Sequence, residues 1–193
     1  MDGFNPRRYS GIISSDHIHI GDKKMTTLTQ PLRDEHKELY PHIESLKQAG
    51  MVVHGVLNQT SLEKIDEAYS FLATHLLPHA HAEEAALYPV VQKVMGSPHA
   101  TATMSRDHVE VERLTQELAE LRGTLQEGEI GVVKANELKR LLYGLYTLVK
   151  VHFAKEEEVY LPLLDANLTS EEAQEMFSAM ESAAKKAKEN AHA

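Results

Sequence analysis

Four stretches of the chain place apolar residues at alternating spacings of four and three, which marks one buried face on a helix. In the first, the stripe is Leu32, His36, Leu39, Ile43 and Leu46, with Pro31 at the start, Asp34 and Glu35 in the first turn and Gly50 as the expected stop. Pro41 removes one backbone bond inside this stretch and predicts a kink. The second stripe runs Ile65, Tyr69, Leu72, Leu76, His79, Glu83, Leu87, Val90 and Val94, opened by Thr60-Ser-Leu-Glu63 as a capping box. Ser97-Pro98 supplies an N-cap and first-turn proline for the third stripe, Met104, His108, Val111, Thr115, Leu118, Leu121/Arg122 and Leu125, and Gly128 and Gly131 end it. The fourth is Leu138, Leu142, Leu145, Val149, His152, Glu156, Val159 and Leu163. A second capping box, Thr169-Ser-Glu-Glu172, starts a shorter alanine-rich helix that fades into a lysine-rich tail.

Short links make consecutive helices antiparallel neighbours. The expected fold is therefore all-α, an up-down-up-down four-helix bundle with an additional short C-terminal helix. Residues 1–28 lack periodicity and read as a flexible lead-in, 29–166 as the bundle, and 167–193 as the C-terminal helix and tail.

The stripes are not purely apolar, and their polar members repeat. His79-x3-Glu83 and His152-x3-Glu156 lie 73 residues apart (79 against 152), each followed by an aromatic or apolar pair and a proline. His36 and His108 are 72 apart (36 against 108), in Arg33-Asp-Glu-His36 and Arg106-Asp-His108. The chain thus reads as two helix hairpins, each with one histidine on its first helix and His-x3-Glu on its second. A single histidine on an apolar stripe is ordinarily a hydrogen-bonded core residue. A core carboxylate is harder to accommodate, because an unpaired buried charge is very costly. Arg122 is the one cation the stripes offer, far along its helix from His108.

Residues four apart on a helix have Cβ atoms roughly 5–6 Å apart, so each His-x3-Glu can serve one metal pair from one face. Imidazole with carboxylate suits iron, manganese or zinc better than calcium or magnesium. The candidate ligands are His36, His79, Glu83, His108, His152 and Glu156. The Glu-x-x-His of ferritin-like bundles is absent, since Arg33, Leu76, Ser105 and Val149 stand three residues before the histidines. His-Glu-x-x-His is absent too. His17-Ile-His19 has the x-His-x-His form of a strand metal site but no strand-rich surroundings.

Composition narrows the chemistry. With no cysteine, thiolate metal sites, iron–sulfur clusters and cysteine nucleophiles are excluded. A net charge of −9 argues against nucleic acid and anionic membrane as partners. No apolar run approaches the roughly 20 residues of a membrane span, and no secretory pattern opens the chain, so a cytoplasmic protein is expected.

The series His36, His79-x3-Glu83, His108, His152-x3-Glu156 resembles the hemerythrin-like, or HHE cation-binding, family over roughly residues 30–165. The resemblance implies a bridged non-haem di-iron centre, with Glu83 and Glu156 bridging and the four histidines as terminal ligands whose pairing stays open. Oxygen-carrying members have a fifth histidine where Met104 stands, and their final carboxylate falls at the Glu157 position; the repeat favours Glu156. The four-His, two-Glu pattern is similar instead to iron-centre repair proteins and some actinobacterial relatives, although the cysteine-containing domain of the repair proteins is missing. Such a ligand set leaves on average one open position per iron, which favours chemistry with peroxide, O2 or nitric oxide over oxygen carriage. Tyr40, Glu112 and Tyr160 are further candidates to fill a position or donate hydrogen bonds. Zinc or manganese are lesser alternatives to two irons. A sensor read by a protein partner through the lysine-rich C-terminal helix, or an iron storage or delivery protein, is the alternative class.

Overall fold

The computed structural model describes residues 27–191, so His17-Ile-His19 lies outside the described residues. Helix α1 (Gln30–Met51) leads through β1 (Val56–Leu57) into a second rod made of α2 (Gln59–Phe71), a π turn (Leu72–Leu76), α3 (Leu77–Ala82), a second π turn (Glu83–Leu87) and α4 (Tyr88–Met95). The third rod is α5 (Ala102–Arg122). After β2 (Gly128–Glu129) come α6 (Val132–Lys155), a third π turn (Glu156–Tyr160), α7 (Leu161–Asn167) and α8 (Ser170–Ala191). Helix α1 packs on α2 and α6, and α5 packs on α6 and α2, giving the expected all-α, up-down-up-down bundle. The two hairpin loops meet at one end, where Val56 pairs antiparallel with Glu129 and Leu57 with Gly128. The C-terminal helix is not short: α8 has 22 residues and lies across α3 and the Glu83–Leu87 turn.

Two apolar clusters fill the bundle. One holds Ile43, Leu46, Ile65, Leu118, Leu138 and Leu142 towards the loop end. The other holds Leu32, Leu87, Met104, Leu161, Leu164 and Met180, the last supplied by α8. In every rod the histidines and glutamates of the stripe fall where it passes from one cluster to the other. They form a polar layer sealed on both sides.

Each π turn is followed by one residue and then a proline: Leu77-Pro78, Tyr88-Pro89 and Leu161-Pro162. The N–H groups of Leu77, Tyr88 and Leu161 reach back five residues, to the carbonyls of Leu72, Glu83 and Glu156. A proline cannot donate to the carbonyl four residues back and its ring crowds that carbonyl, and widening the preceding turn relieves the clash. The widened turn adds one residue and shifts the stripe by one position. Beyond Glu83 the buried residues are Ala86, Leu87, Tyr88 and Val91, with Val90 and Val94 only half-buried. Beyond Glu156 they are Tyr160, Leu161 and Leu164, while Val159, expected inside, is 53% exposed and Leu163 half-buried.

Local signals differ from expectation at three helix ends. Asn58, not Thr60, caps α2: its side-chain oxygen accepts from the Ser61 N–H at 2.9 Å, satisfying one of the helix's unpaired donors. Gly96, in the left-handed conformation at φ 65°, ends α4, and α5 starts at Ala102 rather than at Ser97-Pro98. Gly50 does not stop α1 but sits inside it, where an added Cβ would meet the Tyr143 ring at 2.9 Å. The Thr169–Glu172 box forms as expected, with Glu172 N–H donating to Thr169 Oγ1 and Thr169 N–H to Glu172 Oε2. Asn58→Ala is expected to cost about 1 kcal/mol in urea unfolding, and Thr60→Ala, at an exposed position outside the cap, much less; equal losses would reject the cap assignment.

Candidate metal centre

All six predicted residues converge in the polar layer. His36 comes from α1, His79 and Glu83 from α3 and the turn after it, His108 from α5, and His152 and Glu156 from the end of α6 and the turn that follows. The π turns begin on Glu83 and Glu156 themselves, so these two carboxylates sit where the helix widens. Each of the four imidazoles turns Nε2 towards the carboxylates. His79 Nε2 lies 3.0 Å from Glu83 Oε1, and His108 Nε2 lies 3.2 Å from Glu83 Oε2. His36 Nε2 is 3.6 Å from Glu156 Oε2, and His152 Nε2 is 3.3 Å from Glu156 Oε1. Each carboxylate thus offers one oxygen to each histidine pair. The pairs are His36 with His79 and His108 with His152, one pair per hairpin, a pairing the sequence left open. Donor atoms of His36, His79, Glu83 and Glu156 lie within 4.8 Å of one another, as do those of Glu83, His108 and His152. Donors roughly 2.1 Å from a metal stand about 3 Å apart at right angles, so these separations suit ligation.

The donor chemistry asks for a cation. Both oxygens of Glu83, Oε2 of Glu156 and Nε2 of His36 and His79 are buried and lack a hydrogen-bond partner. Buried polar atoms are normally satisfied, and an uncompensated buried carboxylate is strongly destabilising. Five unsatisfied atoms facing one small volume fit two bound metal ions well.

The outer nitrogens are satisfied by a second set of four carboxylates. His36 Nδ1 meets Glu157 Oε1 at 2.7 Å, His79 Nδ1 meets Glu35 Oε1 at 3.1 Å, His108 Nδ1 meets Glu84 Oε1 at 2.8 Å and His152 Nδ1 meets Asp107 Oδ2 at 3.2 Å. Such partners fix the ring and its tautomer, leaving Nε2 free to ligate. The repeated Glu-Glu doublets divide the work: Glu83 and Glu156 face the centre, while Glu84 and Glu157 each hold a histidine of the other hairpin. Glu35 and Asp107 hold the histidine of their own hairpin. Arg33 anchors Glu157 at 2.5 Å, and Lys155 anchors Asp107.

Burial works against a charge on His79, but Glu83 and Glu35 outweigh it and raise its pKa to about 10. His152 is likewise raised against burial, to about 11, by Asp107, Glu156 and Glu83. Glu83 is pushed up by burial but held well below the ordinary carboxylate range by His79, His108 and His152. Without metal, imidazolium protons take the place of the cation.

Tyr88, which sequence reasoning passed over, belongs to this layer. Its hydroxyl donates to Glu156 Oε1 at 3.0 Å and lies 3.4 Å from Nε2 of both His108 and His152. Burial, with Glu83 and Glu156 nearby, pushes the phenol pKa up and keeps the proton in place. Its equivalent in the second repeat is Leu161, so among the described residues the phenol stands on the His108/His152 side. The other candidates lie elsewhere. The Tyr160 hydroxyl donates to the Ala100 carbonyl at 2.9 Å, the Tyr40 ring packs edge-on against Phe153, and Glu112 is exposed. Met104 is buried in the apolar cluster beyond the site.

Fold and site together define a helical-bundle metal-binding domain built on a duplicated hairpin. Residues 27–164 match the model of the hemerythrin HHE cation binding domain, and the chain belongs to that family. A second match, residues 99–192, begins 72 residues after the first (99 against 27), the offset between His36 and His108. The chain is similar to a protein named DNA nickase from Nostoc sp. (strain PCC 7120 / SAG 25.82 / UTEX 2576), at 23% identity over 178 residues, covering 92% of this chain but 45% of that protein. The chain therefore spans less than half of that relative. No solved structure matches.

Raised histidine pKa values carry a stability consequence with a definite sign. Protonated His79 and His152 stabilise the metal-free fold fully below their ordinary value of 6.5, and this is lost as pH rises through about 10 and 11. The melting temperature of metal-free protein is therefore expected to fall between pH 7 and pH 10, while metal-loaded protein, whose imidazoles have exchanged protons for metal, changes less. A metal-free protein that gains stability over that range would contradict the assignment.

Proposed function

We propose that His36, His79, Glu83, His108, His152 and Glu156 hold two iron ions, with Glu83 and Glu156 bridging, and that the centre reacts with peroxide, O2 or nitric oxide in catalase-like or NO-reductive detoxification. The observation that carries the metal reading is the set of five buried donor atoms without partners, which a pair of cations would satisfy at once. Imidazole and carboxylate together favour iron, with zinc or manganese as weaker matches. Two irons would supply paired one-electron steps for reducing a small oxidant.

The surroundings favour a small reactant. Beside Glu83 lies a pocket with about 10 Å³ of room, walled by Leu76, Val111, Val149 and Phe153. That is about the space of one water-sized molecule. Glu83 and Glu156 neutralise metal charge, Phe153 and the aliphatic walls exclude water, and Tyr88 Oη holds a proton against Glu156 Oε1. With Met104 in place of a further imidazole, fewer protein donors are available than in an oxygen carrier. These features support reaction over carriage.

A sensor reading has one observation in its favour: α8 packs directly on the stretch that carries His79 and Glu83, so a change there would be felt at the surface. Storage or delivery of iron would use the same ligands. No helix among the described residues is long and apolar enough to cross a membrane, and a cytoplasmic site of action belongs to the same proposal. DNA cleavage, the activity named for the Nostoc relative, is not proposed, since the net charge of −9 disfavours a phosphate backbone and most of that relative lies outside the match.

Metal analysis of purified protein is expected to give about two irons per chain with near-ultraviolet charge-transfer absorption, and Glu83→Ala combined with Glu156→Ala is expected to abolish both. A single zinc, or iron retained in the double variant, would reject the bridged di-iron reading.

A further inference from the structure

The two His-x3-Glu copies differ in the residue that follows each histidine. After His152 stands Phe153, whose ring packs 4.4 Å from His36 and 5.6 Å from His79, centroid to centroid, and closes that side of the layer. After His79 stands Ala80, which leaves the equivalent side without a plug. On that side lies an outer cavity of about 190 Å³ between α3 and α5, with Leu77 and Val109 among its apolar walls and His81, Glu84 and Glu112 at its rim. The inner pocket beside Glu83 shares two lining residues with it, Ala80 and His108. His108 is also the most exposed of the four histidines, with 11% of its side chain accessible against 4% or less for the others. A larger groove of about 290 Å³ beneath α8 shares only His79 with the inner pocket, and Glu35, which lines that groove, holds the outer edge of the His79 ring.

We infer that the space between Ala80 and His108 is the throat through which a small uncharged molecule passes from the outer cavity to the metal centre, and that Ala80 sets its width. Glu84 and Glu112 at the mouth repel anions, and the throat is narrow enough to turn away larger solutes. The Ala80/Phe153 difference makes access one-sided in an otherwise twofold site. The inference rests on the metal-centre reading above and adds the route by which its reactant arrives.

The test uses iron-loaded, reduced protein with nitric oxide as the probe, followed by stopped-flow absorption for binding and by trapping for release. Ala80→Leu narrows the throat from inside. Val109→Trp, at a position 51% exposed, covers the mouth without entering the core. Ala184→Trp fills the groove under α8 instead. A barrier raised by about 1.4 kcal/mol slows passage about tenfold, so both throat variants are expected to bind and release nitric oxide about tenfold more slowly. Their Kd and iron content are expected to stay near wild type, because a gate slows both directions alike. Ala184→Trp is expected to match the parent. Wild-type rates in both throat variants, a Kd that rises while release is unchanged, or slowing confined to Ala184→Trp would overturn the throat. A parent protein that holds no iron and gives no nitric oxide adduct would overturn the metal-centre reading, and the throat with it.

Discussion

Two carboxylates sit at the centre of a helical bundle with no arginine or lysine among the described residues paired to them, and the rest of the structure follows from that burden. Glu83 and Glu156 are fully buried, and three of their four oxygens lack a hydrogen-bond partner. Removing a carboxylate from water costs several kcal/mol even after local relaxation. Imidazoles crowd around both groups, an outer ring of carboxylates orients the imidazoles, and two apolar clusters seal the layer. Each shell balances the charge or fixes the orientation of the one inside it. The belonging of the chain to a cation-binding family agrees with the demand that the donor atoms make.

Duplication explains how a short chain assembles so many matched contacts. Glu35 and Asp107, like Glu84 and Glu157, occupy equivalent places in the two hairpins, and so do the proline-linked π turns that begin on Glu83 and Glu156. The departures from symmetry are equally informative. Arg33 is held between Glu157 and Asp165, whereas Ser105, at the equivalent position, donates its hydroxyl to Glu84 Oε2. Tyr88 faces Leu161, and Ala80 faces Phe153, across the same pseudo-twofold relation. The His108/His152 position thus gains a phenol, and the side between α3 and α5 remains open. The two histidine pairs drawn from one repeat thus have chemically distinct surroundings.

Much of this was legible in the order of residues. Stripes of period near 3.6 located every rod, and glutamates on those stripes located the centre, because a carboxylate on a buried face needs a cation beside it. Phase was lost beyond the π turns at Glu83–Leu87 and Glu156–Tyr160. That misplaced Val159 and Val90 inside and hid Tyr88, although Pro78, Pro89 and Pro162 were the visible sign of trouble in the hydrogen-bond ladder. The orienting carboxylates were also in view, since each stands directly beside a ligand in sequence. Their partners, however, are fixed by contacts between rods, such as Glu84 with His108 and Glu157 with His36, which periodicity within one helix does not encode. Caps failed for a local reason: Asn58 and Thr60 both suit an N-cap, and only the backbone turn chooses between them.

The most direct measurement is an anomalous-diffraction map of iron-loaded crystals. Two iron peaks, one beside His36 and His79 and the other beside His108 and His152, each touching an oxygen of both Glu83 and Glu156, is the predicted result. A single peak, or iron bound away from these carboxylates, would contradict the account.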